Sequence, residues 1–429
     1  MRERITANDA IWLQDSATNP MVINAVITTD HLDLETLRDA FQRRIFGNPA
    51  AGRFERLRCR VAGKAPRCYW EPDPDFNIAR HIIKCNGKNL HDLGAIQSYV
   101  GHEATQRLDR DHPRWEIQVL ENFEQDGTAL LVRIHHSIGD GDALVALMFT
   151  LMDGSWEEDH GMGRWGGPVA AGASRLGKFL KAAAIPLMAP GILLRRLTWM
   201  PDRSHMHGPT LSGHKRVAWT APLDLEVVKR VKRGIGATVN DVLMASVSGA
   251  LSHYLADHGG LTPSRFLISM PVNVRPHGQL PRCENHFAPV PLALPAGTCP
   301  LTSRILAVKA EMDHLKRSAV PVVVYEIQRA LLALFPEAMS RGLIDFLANK
   351  CTAVVTNIIG PCRNITLEGR RVRSIIFWVP QRARIGVGIS ILSFAGKVQL
   401  GVIADEALVP DLAPLIQAFE EEFEALRSL

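Results

Sequence analysis

Apolar positions along this chain recur with two periods, and each period marks a different kind of element. After Asp33, the apolar residues Leu34, Leu37, Phe41 and Ile45 repeat at helical spacing, which predicts an N-capped amphipathic helix with one buried face. Ile117–Leu120 and Ala129–Ile134 are short strand-forming runs, and Gln125-Asp126-Gly127 supplies a turn that would pair them as a hairpin. The second strand leads directly into His135-His136. Gly139-Asp140-Gly141 then turns the chain, and Ala143 to Met152 has the length and residue types of a helix. The paired histidines are therefore expected on a loop between a buried strand and a helix.

The pattern breaks between about residues 154 and 213, where Gly, Pro and Ala are frequent and basic residues alternate with apolar ones. It resumes with a strand at Lys215–Trp219, a helix at Leu225–Val231, a helix from Asn240 towards Tyr254 and a buried strand at Phe266–Val274. Later strands are predicted at Ala353–Ile358, Gly386–Ser393 and Val398–Ile403, and a last helix at Asp411–Arg427. A chain of 429 residues is long for one core. The elements thus predict a mixed α/β fold with a first domain over 1–155, a connection with helical pieces over 156–213 and a second domain over 214–429.

Composition narrows the function classes. A formal charge of +5 is too small to argue for nucleic acid, although it suits a polyanionic substrate or an anionic surface. The seven cysteines are scattered without a CxxC pair, against a disulfide framework or a zinc knuckle. No signal peptide is read at Met1–Ile5, so the cytoplasm is the expected location. The best apolar run, Ala182 to Leu194, is interrupted by Pro186, Pro190 and Gly191 and closed by Arg195 and Arg196, too short and broken to span a bilayer. With Lys178 and Lys181 in front of it, the same run suits a lipid surface or a buried interdomain helix equally well.

Two adjacent histidines on an extended segment point to opposite sides, so only one can face a given cavity. A neutral imidazole there is suited to take a proton from a hydroxyl. Asp140 can hold the turn or pair with an arginine, and Gly139 and Gly141 allow a sharp bend and close approach. On the residues alone, a structural pair stands beside a catalytic one. Neighbouring histidines are poorly placed to chelate one ion, and neither HExxH nor the GxSxG of a serine hydrolase is present. Gly161-Met162-Gly163-Arg164-Trp165-Gly166 and the run Gly172 to Lys178 spell phosphate-loop patterns but lack the strand–loop–helix context.

A series of short segments runs in order along the chain: Asn8-Asp9-Ala10-Ile11-Trp12-Leu13, Asn19-Pro20-Met21, Tyr69 to Phe76 with His81, Leu108-Asp109, Pro113-Arg114-Trp115-Glu116 and the histidine motif. Asn240-Asp241-Val242, Pro271 to Arg275, Glu284-Asn285, Thr356 to Pro361 and Gly388 to Ser393 continue it. Over nearly the whole chain, this series carries a resemblance to the bacterial wax ester synthase/acyl-CoA:diacylglycerol acyltransferase family. It implies two chloramphenicol-acetyltransferase-like domains with a tunnel at their interface. It further implies His136 as general base, His135 as its supporting neighbour and Asp140 as loop anchor paired with Arg275. Gly141 and Asn240 are supporting residues.

No cofactor is implied, because coenzyme A enters as the thioester of the substrate. Acyl-CoA and a fatty alcohol or diacylglycerol are the implied partners, with peripheral docking on a membrane or lipid droplet. Lys229, Arg230, Lys232 and Arg233 form one candidate cluster for coenzyme A phosphates, or an ordinary solvated helix face. Three positions depart from the family pattern: Arg114 replaces a leucine, Asn77 an aspartate, and Gly139 a larger apolar residue. Arg114 and Gly139 motivate an alternative, a condensation-type acyltransferase with another donor or a polar or amine acceptor. A non-catalytic lipid-surface protein is the alternative of another class.

Overall fold

The computed structural model describes residues 2–154 and 188–429, apart from residues 65–66, 88–89, 91, 125, 202–203, 208–209, 259–262, 277 and 298. Gln125, both glycine patterns and most of the 156–213 connection lie outside the described residues. Two large mixed sheets carry the fold. The first runs, in spatial order, Thr366–Leu367, Arg370–Trp378, Val22–Thr29, Gly127–His135, Trp115–Phe123 and Ile82–Lys84. The second runs Phe287–Pro295, Arg265–Asn273, Ala353–Ile359, Val387–Phe394, Lys397–Asp405 and Lys215–Trp219, with Leu223–Asp224 also on Lys397–Asp405.

The local patterns read from the sequence form as expected. Asp33 caps the Leu34–Phe41 helix by accepting from Thr36 N at 2.9 Å, and the chain continues through a wider turn over Gln42–Phe46. The hairpin pairs Trp115–Phe123 with Gly127–His135, its bend made by left-handed backbone at Asn122, Glu124 and Asp126. The Val239–Asp257 helix, almost wholly buried, packs against the Ala413–Ala425 helix beneath the second sheet.

One strand is shared in a way the division of the chain at 155 and 213 does not foresee. Arg370–Trp378, from the second half, pairs antiparallel with Val22–Thr29 and so extends the first sheet. Ile376 and Trp378 then pack with Val26, Leu131, Val217 and Ile403 in an apolar cluster where the two sheets meet. The Phe287–Pro295 strand is likewise hidden in the sequence, because Pro289, Pro291 and Pro295 demote a strand pattern. It lies at an edge of its sheet, where missing N–H groups can face away from the ladder.

Residues 188–198 are helical and include the last part of the apolar run described above, whose residues 182–187 lie outside the described residues. Among the described residues, no helix is long and apolar enough to cross a membrane.

Candidate active site

His135 ends the Gly127–His135 strand, and the pleat sends the two imidazoles to opposite sides. His135 turns into the first half of the molecule. Its Nδ1 accepts from Ser137 N at 3.2 Å and lies 2.8 Å from Ser137 Oγ. Nε2 faces Asp15 Oδ1 at 3.4 Å. Burial lowers the pKa of His135, opposed by Asp15. Burial would raise the Asp15 carboxyl, but His135 and the Met21 N–H hold it down at about 2.

His136 turns towards the junction of the two halves. Its ring stacks on Trp12, with centroids 4.0 Å apart and planes 11° from parallel, and Phe287 lies 5.5 Å away. Nδ1 is 3.0 Å from Asn285 Oδ1, while Asn285 Nδ2 donates to the His136 carbonyl at 2.8 Å. No described residue hydrogen-bonds Nε2. Burial among these rings lowers the His136 pKa to about 4, so the imidazole is neutral at physiological pH.

Asp140 is the N-cap of the Gly141–Leu151 helix, accepting from Ala143 N at 3.0 Å. The same carboxylate receives Arg275 Nη2 at 3.0 and 3.2 Å and the His286 N–H at 2.9 Å. Arg275 is fully buried, so the ion pair implied by the resemblance lies inside the protein, between the halves. Asp142 stands 3.5 Å from Arg275 Nη1 and accepts from Asn273 Nδ2.

Gly139 and Gly141 serve close packing, and neither has a positive φ. A Cβ on Gly139 would meet Ala143 Cβ at 2.9 Å, and one on Gly141 would meet Ile358 Cδ1 at 2.6 Å. The space beside Gly139 that would hold a larger residue is thus filled by protein.

Asn240 takes part in none of the described hydrogen bonds of this cluster. The cap of its helix is Thr238, in a capping box with Asp241, and the Asn240 side chain accepts from Asn357 Nδ2 at 3.1 Å. Arg114, beside Asp15, has a guanidinium pKa lowered by burial and a buried Nε without a hydrogen-bond partner among the described residues. Asn77 caps a short helix at Ile78–His81, a task aspartate performs equally well. On the 225–235 helix, Lys229 pairs with Glu226 and Arg230 reaches the Arg427 carbonyl.

Asp9, Trp12, Asp15, Ser137 and Asn285 complete the surroundings of the histidines but were not singled out from the sequence. Asn8 to Leu13 and Glu284-Asn285 were noticed only as motif segments. Their spacing gives no sign that residues 149 and 276 positions apart meet.

Comparison with known proteins settles the family. The profile of the wax ester synthase/diacylglycerol acyltransferase catalytic domain matches residues 6–243, and that of the WS/DGAT C-terminal domain matches residues 283–427. The chain belongs to this acyltransferase family. It is 25% identical over 419 residues to the diacylglycerol O-acyltransferase tgs1 of Mycobacterium tuberculosis H37Rv, covering 92% of this chain and 89% of the relative. The relative Rv1760 from the same strain is 26% identical over 384 residues, covering 83% and 76%. The fold matches the wax ester synthase/diacylglycerol acyltransferase from Marinobacter aquaeolei VT8, with TM-score 0.68, 18% identity and 99% of each chain covered. It also matches the first condensation domain of the CDA synthetase, with TM-score 0.63, 14% identity and coverage of 100% and 96%. The mixed α/β acyltransferase fold expected from the sequence is therefore met.

Proposed function

We propose that the protein transfers a long-chain acyl group from acyl-CoA to a fatty alcohol or diacylglycerol, with His136 as general base. The observation that carries this reading is the buried, neutral imidazole stacked on Trp12 and flanked by Phe287 at the junction of the halves. The acceptor hydroxyl loses its proton to the ring as its oxygen attacks the thioester carbonyl. The tetrahedral intermediate then expels coenzyme A thiolate, which takes the proton back from the imidazolium. No acyl-enzyme is needed, since donor and acceptor meet at one base. The apolar rings suit an acceptor with long hydrocarbon chains and keep water from competing. Asp140 and Arg275 hold the turn that carries the base.

The lipid-surface part of this reading is supported by exposed apolar side chains on the 188–200 segment and along residues 334–346. Met200 is 80% exposed and Leu334 77% exposed; Leu194, Phe335, Met339 and Phe346 are also exposed. Lys350 ties the 188–200 segment to the Glu337–Ala348 helix, donating to the Leu197 and Trp199 carbonyls and sitting over the Phe346 ring. Such a patch favours docking where apolar acceptors are dissolved.

Purified protein with palmitoyl-CoA and either hexadecanol or dioleoylglycerol is expected to release free thiol. The His136→Ala protein is expected to lose that release by about 100- to 10,000-fold. Undiminished release by the variant would remove His136 from the reaction.

A further inference from the structure

The hydrogen bonds around Asn285 determine which nitrogen of His136 is free to act. An asparagine amide has one face that only donates and one that only accepts. Asn285 Nδ2 lies 2.9 Å from Asp9 Oδ1 and 2.8 Å from the His136 carbonyl oxygen. Both partners are acceptors, so the reversed amide would set oxygen against two oxygens. The amide direction is thereby fixed, and Oδ1 is the atom that faces His136 Nδ1 at 3.0 Å. Oδ1 needs a donor.

We propose that Asn285 is a positioning residue that holds His136 in the Nδ1–H tautomer, leaving the Nε2 lone pair as the proton acceptor. Asp9, buried behind Asn285, sets the direction of that amide. This rests on the acyltransferase reading given above.

Asp9 is equipped for the task. Its Oδ1 receives both the backbone N–H and the side-chain amide of Asn285 at 2.9 Å. Oδ2 receives Thr6 Oγ1 at 2.7 Å and lies 3.0 Å from Arg56 Nη1. Burial pushes the carboxyl pKa up, and Arg56 with these donors pulls against it. A carboxylate so engaged is an acceptor at every contact, which an asparagine amide must answer with its nitrogen. The titratable groups acting on the His136 ring are Asp140, paired with Arg275, and His135, while Asp9, paired with Arg56, lies behind Asn285. None of them offers Nδ1 a competing donor among the described hydrogen bonds.

Nitrogen-15 NMR of histidine-labelled full-length protein near pH 7 reads the tautomer without any turnover. His136 is assigned by the signals lost in His136→Ala. A protonated Nδ1 and a bare Nε2 are expected; a bare Nδ1 overturns the proposal. Kinetics test the positioning role. Asn285→Ala is expected to lower kcat about 10- to 100-fold while KM stays within about threefold. Asn285→Asp keeps an acceptor for Nδ1–H, but its second oxygen faces Asp9 Oδ1 and the His136 carbonyl and must carry a proton there, so this variant is expected to lower kcat less than Asn285→Ala. Native kcat in both variants would sink the idea. Native protein that shows the Nδ1–H tautomer but releases no thiol from acyl-CoA would overturn the acyl-CoA reading and still support the tautomer assignment.

Discussion

His135 and His136 are neighbours with the same side chain, yet they are supported by different parts of the chain. His135 is held by Ser137 and Asp15, both from the first half, and both of its nitrogens are engaged. His136 is held across the junction, by Asn285 and Phe287 from the second half together with Trp12. Asp140 follows the same division, since Arg275 and His286 reach it from the second half. The difference teaches that the second half completes the site. The histidine with a nitrogen left over among the described residues is the one whose surroundings exist only when both halves are assembled.

The contrast can be broken most severely at Arg275. Removing one member of a buried ion pair strands the other charge, so Arg275→Ala is expected to lose about 3–5 kcal/mol of stability, read by denaturant unfolding. Near-native stability would mean that the cross-junction pair holds little. The contrast sharpens at His135, where His135→Gln is expected to lower kcat by less than about tenfold, against the far larger loss at His136. Equal losses at both positions would erase the distinction.

Acid provides a third test. His136 holds its proton only below about pH 4, so the rate should stay flat on descending from neutrality and fall as pH approaches that value. A limb at the ordinary histidine value of 6.5 would contradict the burial of the ring. Stability follows the same sign. The unfolded chain takes up protons near 6.5 while the folded ring resists them, so stability declines as pH drops between 6.5 and about 4. The smallest effect is expected at Asn240, whose partner is Asn357. Asn240→Ala should leave kcat within about threefold, checked in the same thiol assay.

What could be read from the sequence was what local chemistry decides. The Asp33 cap, the strand running into His135 and the helix after Asp140 each depend on residues within a few positions. The Asp140–Arg275 pair came from family resemblance, since nothing in the spacing links positions so far apart. Asn285 and Asp9 lay in motif segments that were noticed but given no task. Their meaning is a hydrogen-bond direction, which exists only once three distant backbones converge. Asn240 is a supporting residue by resemblance alone; its other reading, a helix cap, belongs in the structure to Thr238.

The shared strand at Arg370–Trp378 also has a consequence for how the chain is made. At about 5–20 residues per second, roughly ten to fifty seconds separate the synthesis of His135 from that of Trp378. Throughout that interval Val22–Thr29, an apolar and β-branched stretch, lacks the neighbour that covers its outer edge. Uncovered edges of this kind pair readily with other chains. The nascent protein therefore passes through a vulnerable stage that ends only when nearly all of it has emerged, and the two halves cannot mature as independent modules.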